Sequence, residues 1–346
     1  MSLAPEDTRM FAEAGEGAAV VRAQLAANAA LMQDTAKRLK STKAPIIFTC
    51  ARGSSDHAAT FAKYLFETRL RIPTVSQAPS IISVYGDPPL DVRGAPFIVI
   101  SQSGRSPDLL MSATAVKAAG ALVIAVTNNV DSPLAELADV VLPVHAGPET
   151  SVAATKSYIG TLCAIAHLVS EWADDRELGA ALPGLDEALI DAWNADWSAA
   201  LPLLERAQSM YVLGRGLTYA VAQEAALKLK ETCGLHGESF SLAEVAHGPM
   251  ALIKDGFPLL VLPPHDAASL GAEALIAKFL ERGARVAIAG VGARGAVRLP
   301  LKVGLHPALV PMVMVQSFYR MVNALAVKRG YDPDNPPHLA KVTQTR

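Results

Sequence analysis

Short apolar runs alternate with longer helical patterns along the chain, and the alternation occurs twice. Residues 44–53 (APIIFTCARG) are apolar and β-branched positions closed by Arg-Gly, followed by an Ala-rich pattern through Thr68. This predicts a strand, a tight turn and a helix. SMYVLGRG at 209–216 and the helical AVAQEAALKLKE after it carry the same signals, with Gly53 set against Gly214. FIVIS at 97–101 has a counterpart in PLLVLP at 258–263, and ALVIAV at 121–126 in ARVAIAGV at 284–291. The offset stays at about 162 residues, a constancy that chance similarity of short apolar runs would not keep.

Strands that are apolar throughout, rather than at every second position, are those buried on both faces. Each half is therefore expected to be α/β, a doubly wound parallel sheet flanked by helices, with ligands beyond the C-terminal ends of the strands. The boundaries expected are an N-terminal helical lead over 1–30, a first domain over 31–180, a second over 200–335 and a tail over 336–346. Glu171 to Ala207, containing Pro183 and Gly184, is the expected link.

A chain of 346 residues fits two domains of ordinary size. With 51% hydrophobic and 18% charged residues it is globular rather than disordered. Its net charge of −2 has the signs interspersed, so no basic stripe is present to bind nucleic acid. Cys50, Cys163 and Cys233 lie too far apart for a disulfide framework or zinc knuckles and are expected to be buried small hydrophobes. No secretory pattern opens the chain, which suggests the cytoplasm. The most apolar late stretch, Pro307 to Val327, is interrupted by Pro311, Gln316, Ser317 and Arg320, so it reads as a buried helix, not a membrane span. No His, Asp or Glu cluster has metal-ligand spacing, so neither a metal nor another cofactor is expected.

Three loops of the first half are dense in hydroxyls where a strand should pass into a helix: GSSD (53–56), SQSGRSPD (101–108) and ETSVAATKS (149–157). Ser106, Pro107 and Asp108 fit the Ncap, N1 and N2 positions. Gln102 to Ser106 should then lie against exposed backbone N–H groups, where phosphate binds without many cations. Capping alone could explain one such loop. The second half supplies the comparison, because it has LPPHDA where the first has SQSGRS. Only the first half is expected to hold a phosphate. In the second half, Lys228 and Glu231 stand three apart on a helix, and His236 and His247 follow in a Gly-flanked, irregular run. A Lys–Glu pair at this spacing is most often solvated, yet a carboxylate, a histidine and lysines are also what enolisation of a sugar carbonyl requires.

SQSGRS, ATK at 154–156, ALKLKE at 226–231, HGP at 247–249 and LAK at 339–341 resemble the isomerase half of glucosamine-6-phosphate synthase, a tandem pair of sugar-isomerase (SIS) domains. The resemblance runs from about residue 40 onward. It implies that Ser54 and Ser55, together with Ser101, Gln102, Ser103 and Ser106, bind the sugar phosphate. It implies too that Val152 and Ala153 close on the sugar. By the same resemblance Glu231 shuttles the proton between C1 and C2, Lys228 assists it, and His247 opens the ring from the neighbouring subunit of a homodimer. Lys341 on the tail looks like the family lysine that reaches the open-chain sugar. Ala154 stands where the synthases have Ser and Arg105 where they have Glu. Only about 45 residues precede the first strand, so no glutaminase domain is expected. The activity implied is glucosamine-6-phosphate deamination. Ketose/aldose isomerisation, galactosamine-6-phosphate deamination, fructosamine-phosphate deglycation and non-catalytic regulation are the alternatives.

Overall fold

A computed structural model describes residues 3–86 and 91–341, so the end of the expected tail, 342–346, lies outside the described residues. The chain forms two compact units. One comprises Ala19–Glu149, Lys156–Pro183 and the tail from Ala340; the other comprises the chain up to Ala18, Thr150–Thr155 and Gly184–Leu339. One changeover between the units falls at Pro183–Gly184. The lead is helical, as Arg9–Gly15 and Gly17–Thr42, but it is divided between the units.

The first unit contains five parallel strands, β1 (Ile47–Ala51), β2 (Thr74–Ser76), β3 (Pro96–Ile100), β4 (Leu122–Thr127) and β5 (Val140–Pro143), in the order β2-β1-β3-β4-β5. Every residue of β3 and β4 is buried, which is why these strands read as unbroken apolar runs. Helix Pro107–Ala118 covers one face through Leu109, Ala113 and Val116, packed in a cluster with Phe97, Val99 and Val123.

The second unit repeats the plan with β6 (Ser209–Gly214), β7 (His236–Ser241), β8 (Pro258–Leu262), β9 (Arg285–Ala289) and β10 (Val297–Leu299), in the order β10-β9-β8-β6-β7. Substituting β6 for β1 and so on reproduces the first order, so both sheets reverse direction between their first and third strands. Tyr211, Leu213, Leu259, Val261, Ile276 and Ile288 form the core on one face. Helix Val310–Lys328 is long and apolar enough to cross a membrane, but 83% of its apolar window is buried in the protein, as expected of a core helix.

Two expectations are corrected. Gly53 corresponds to Gly216, not Gly214: both cap a helix N-terminus with nearly the same backbone, φ 56, ψ −133 and φ 60, ψ −132. Gly214 instead is the last residue of β6, and it must be glycine because a Cβ there would come within 2.5 Å of the Thr218 carbonyl. The run after Glu231 is not all irregular either, since His236–Ser241 forms β7. As an edge strand with one strand neighbour it carries no apolar run to announce it.

Candidate active site

The two hydroxyl loops of the first unit follow β1 and β3, adjacent strands at the point where the order reverses. That is the place where open α/β sheets bind ligands. Gly53 turns the chain into helix Ser54–Leu65, placing Ser54 and Ser55 in its first turn, where backbone N–H groups are uncommitted to the helix. Ser106 is the N-cap of Pro107–Ala118, but its side chain makes no cap hydrogen bond. Capping therefore does not account for this hydroxyl.

Ser101 and Ser103 are also turned to a loop-building use that leaves them chemistry to spare. The Gly104 N–H donates to Ser101 Oγ at 3.1 Å and the Arg105 N–H to Ser103 Oγ at 3.3 Å. Each hydroxyl accepts from the backbone and retains its own O–H hydrogen as a donor. Gly104 adopts φ 63, and a Cβ there would stand 2.1 Å from Ser132 Oγ, so the loop geometry requires glycine. Gln102 and Ser103 are half-buried and Ser101 is buried.

In the second unit, helix Leu217–Cys233 places Glu224, Lys228 and Glu231 at four- and three-residue spacings along one face. Lys228 Nζ pairs with Glu224 Oε1 at 3.3 Å and donates to Glu231 Oε2. This is no solvated pair: the Lys228 and Glu224 side chains are 1% and 0% exposed, while Glu231 retains 21%. Burial alone would lower the Lys228 pKa, but the Glu224 and Glu231 carboxylates override it and hold the ammonium above its ordinary value. The Tyr319 hydroxyl donates to Glu224 Oε1 at 3.1 Å. Glu224 and Tyr319 were missed in the sequence; Glu224 could have been found from its i,i+4 spacing to Lys228. On its open side Glu231 borders a cavity of about 480 Å³ lined also by Leu227, Lys230, Tyr331 and Leu339.

The SIS domain family matches residues 41–170 and 203–294, most of both units. The chain belongs to the SIS-domain family. A glutamine–fructose-6-phosphate aminotransferase (isomerizing) from Pyrobaculum aerophilum is 34% identical over 311 residues, 85% of this SIS chain and 50% of that relative. This chain spans about half the length of the curated relatives it matches. Among solved structures, a candidate phosphosugar isomerase from Silicibacter pomeroyi is 38% identical with a TM-score of 0.87, covering 94% of this chain and 100% of that one. The C-terminal domain of glucosamine-fructose-6-phosphate aminotransferase from Francisella tularensis is 26% identical, also with a TM-score of 0.87, covering 95% and 98%.

The remaining residues of the SIS reading are placed as follows. Thr150–Thr155, with Val152 half-buried and Ala153 fully buried, is held by the Glu13 carboxylate. It accepts from the Thr150 N–H at 2.6 Å, the Thr150 hydroxyl at 2.9 Å and the Ser151 N–H at 3.0 Å. Lys341 Nζ donates at 3.2 Å to Glu149 Oε2, and the buried Glu149 carboxylate also accepts from the Ser157 N–H and hydroxyl at 3.1 and 2.6 Å. His247 is exposed at the end of the 3-10 turn Glu244–His247, which is anchored by buried Val245, and makes none of the hydrogen bonds or ion pairs found among the described residues. Lys228 and Glu231 are thus brought together, whereas His247 is left on a surface.

Proposed function

We propose that this SIS chain catalyses proton transfer between C1 and C2 of a sugar 6-phosphate and, within that class, is a glucosamine-6-phosphate deaminase. The observation carrying the reading is the Glu224–Lys228–Glu231 arrangement. A buried lysine, paired behind with the buried Glu224 carboxylate, fixes the Glu231 carboxylate, which stays open to a cavity. A fixed carboxylate with one accessible side is suited to take a proton from carbon and return it nearby.

In this reading the Ser54–Ser55 and Ser101–Ser106 loops hold the phosphate. His247 opens the pyranose ring to give the aldehyde. Glu231 removes the C2 proton, forming an enolamine, and delivers a proton to C1, leaving an imine at C2 and a hydroxyl at C1. Water adds to the imine carbon and ammonia departs, giving fructose 6-phosphate. Lys341 approaches the open-chain carbonyl, and Val152 and Ala153 close on the sugar. The exposure of His247 on a turn beside exposed Ala251 and Leu252 supports its use across a homodimer interface. The protein works in the cytoplasm in this reading, without metal or other cofactor. Ala154 and Arg105, where the resembling synthases have Ser and Glu, favour deamination over the aminating reaction.

Ammonia release measured on glucosamine, galactosamine and fructosamine 6-phosphates tests the assignment. Ammonia and fructose 6-phosphate in equal amounts from the first are expected. Aldose–ketose interconversion without ammonia would make the chain a plain isomerase. No turnover of any phosphosugar would refute the catalytic reading in favour of a sugar-phosphate-binding regulator.

A further inference from the structure

Arg52 follows β1 immediately before the Gly53 turn, and no step above uses it. Its Nε donates to Asp108 Oδ2 at 2.8 Å. Asp108 is the second residue of helix Pro107–Ala118, directly after the Ser101–Ser106 loop. The pair therefore ties together the ends of β1 and β3, where the sheet order reverses. Its two members differ sharply in exposure: the Asp108 side chain is 0% exposed and that of Arg52 48%. A guanidinium keeps its charge and carries five N–H donors in a rigid fork. Here one donor is committed inward, and neither amino group makes a hydrogen bond among the described residues.

The second sheet shows the contrast. Arg215 occupies the equivalent position before Gly216, but it donates through Nη1 to the Leu270 carbonyl at 3.1 Å. Its fork is turned to closing a loop, whereas that of Arg52 is held from behind. Ser101, Ser103 and Ser106 offer donors without charge, and a phosphate dianion gains most from a charged, bidentate donor.

We propose that Arg52 binds the phosphate of the phosphosugar with its two amino groups, and that Asp108 is the positioning residue that orients it. This deepens the phosphate reading of the Ser101–Ser106 loop and rests on it.

Inorganic phosphate is the probe, titrated into the full chain by calorimetry alongside steady-state kinetics on glucosamine 6-phosphate. Arg52→Gln should weaken phosphate binding and raise KM by about 10- to 100-fold with kcat little changed, as expected for loss of charge-assisted hydrogen bonds. Arg52→Lys should recover part of the loss, and Asp108→Asn should weaken binding less than Arg52→Gln. Wild-type phosphate affinity and KM in Arg52→Gln, with only a lower melting temperature, would make the pair structural and overturn the proposal. The double variant Ser101→Ala/Ser103→Ala separates the two readings. If it weakens phosphate binding while Arg52→Gln does not, Arg52 is removed and the loop reading stands; if it binds as wild type, the loop reading falls and the proposal with it. Should Arg52→Gln fail to fold, a phosphate-soaked crystal of the unaltered protein decides. Phosphate oxygens within hydrogen-bond distance of the Arg52 amino groups are expected, and an anion on the loop with Arg52 out of reach would overturn the proposal.

Discussion

Replacing Glu231 by Gln separates the chemistry of this carboxylate from its part in the ion pair. Gln keeps the shape and an oxygen for Lys228 Nζ to donate to, but it cannot accept a proton from carbon. Because Lys228 retains Glu224 at 3.3 Å, its buried charge is not orphaned. The cost should therefore fall below the about 3–5 kcal/mol of a stranded buried charge and near the about 1–2 kcal/mol of a weakened hydrogen bond to a charged group. Loss of a general base lowers turnover by about 10²–10⁴, or about 3–5.5 kcal/mol of barrier. The assay is initial-rate ammonia release at saturating glucosamine 6-phosphate on protein shown folded by thermal melting. Proton NMR in D₂O adds a second readout, since wild type should wash solvent deuterium into C1 of the product and the variant should lose this in step with turnover. Wild-type turnover in Glu231→Gln would end the mechanism. So would a loss of rate that tracked only the fraction unfolded.

The double change Ser101→Ala/Ser103→Ala should raise KM for the phosphosugar by about 1.5 to 4 orders of magnitude, at roughly 1–3 kcal/mol for each of two charge-assisted hydrogen bonds; an unchanged KM would move the phosphate elsewhere. Gly104→Ala forces a side chain onto φ 63 and into Ser132, so phosphate affinity should fall at least as far, and unaltered calorimetry would disprove the stated need for glycine. Burial pushes the thiols of Cys50, Cys163 and Cys233 up to about 12, so a thiol-reactive disulfide dye at pH 8 should label none in the native protein and three after denaturation. Lys228 is held above its ordinary 10.5, so the stability it contributes is complete below 10.5 and drains away as pH rises through the higher folded value. Chemical denaturation from neutral to strongly alkaline pH should show that loss in wild type and not in Lys228→Met; parallel profiles would refute it.

The sequence by itself determined the alternation of buried strands and helices, the duplication, and the hydroxyl loops with Ser106 at a helix start. These are carried by neighbouring residues, through apolar runs and cap chemistry that act over a few positions. It did not determine the register of the repeat at Gly216 or the existence of β7. An edge strand with one strand neighbour needs no apolar run, and a turn glycine is distinguished from a packing glycine only by its dihedral angle. Nor could spacing alone decide whether Lys228 and Glu231 were solvated. Burial did, by setting Glu224, itself held by Tyr319, beside a lysine whose side chain is 1% exposed. The carboxylates that hold the loops were equally silent: Glu13 reaches Thr150 across 137 positions and Glu149 reaches Lys341 across 192. Lone acidic residues at such separations carry no local signal. Their partners are set by which chain segments the packing of the apolar faces brings together, and that is a property of the tertiary structure alone.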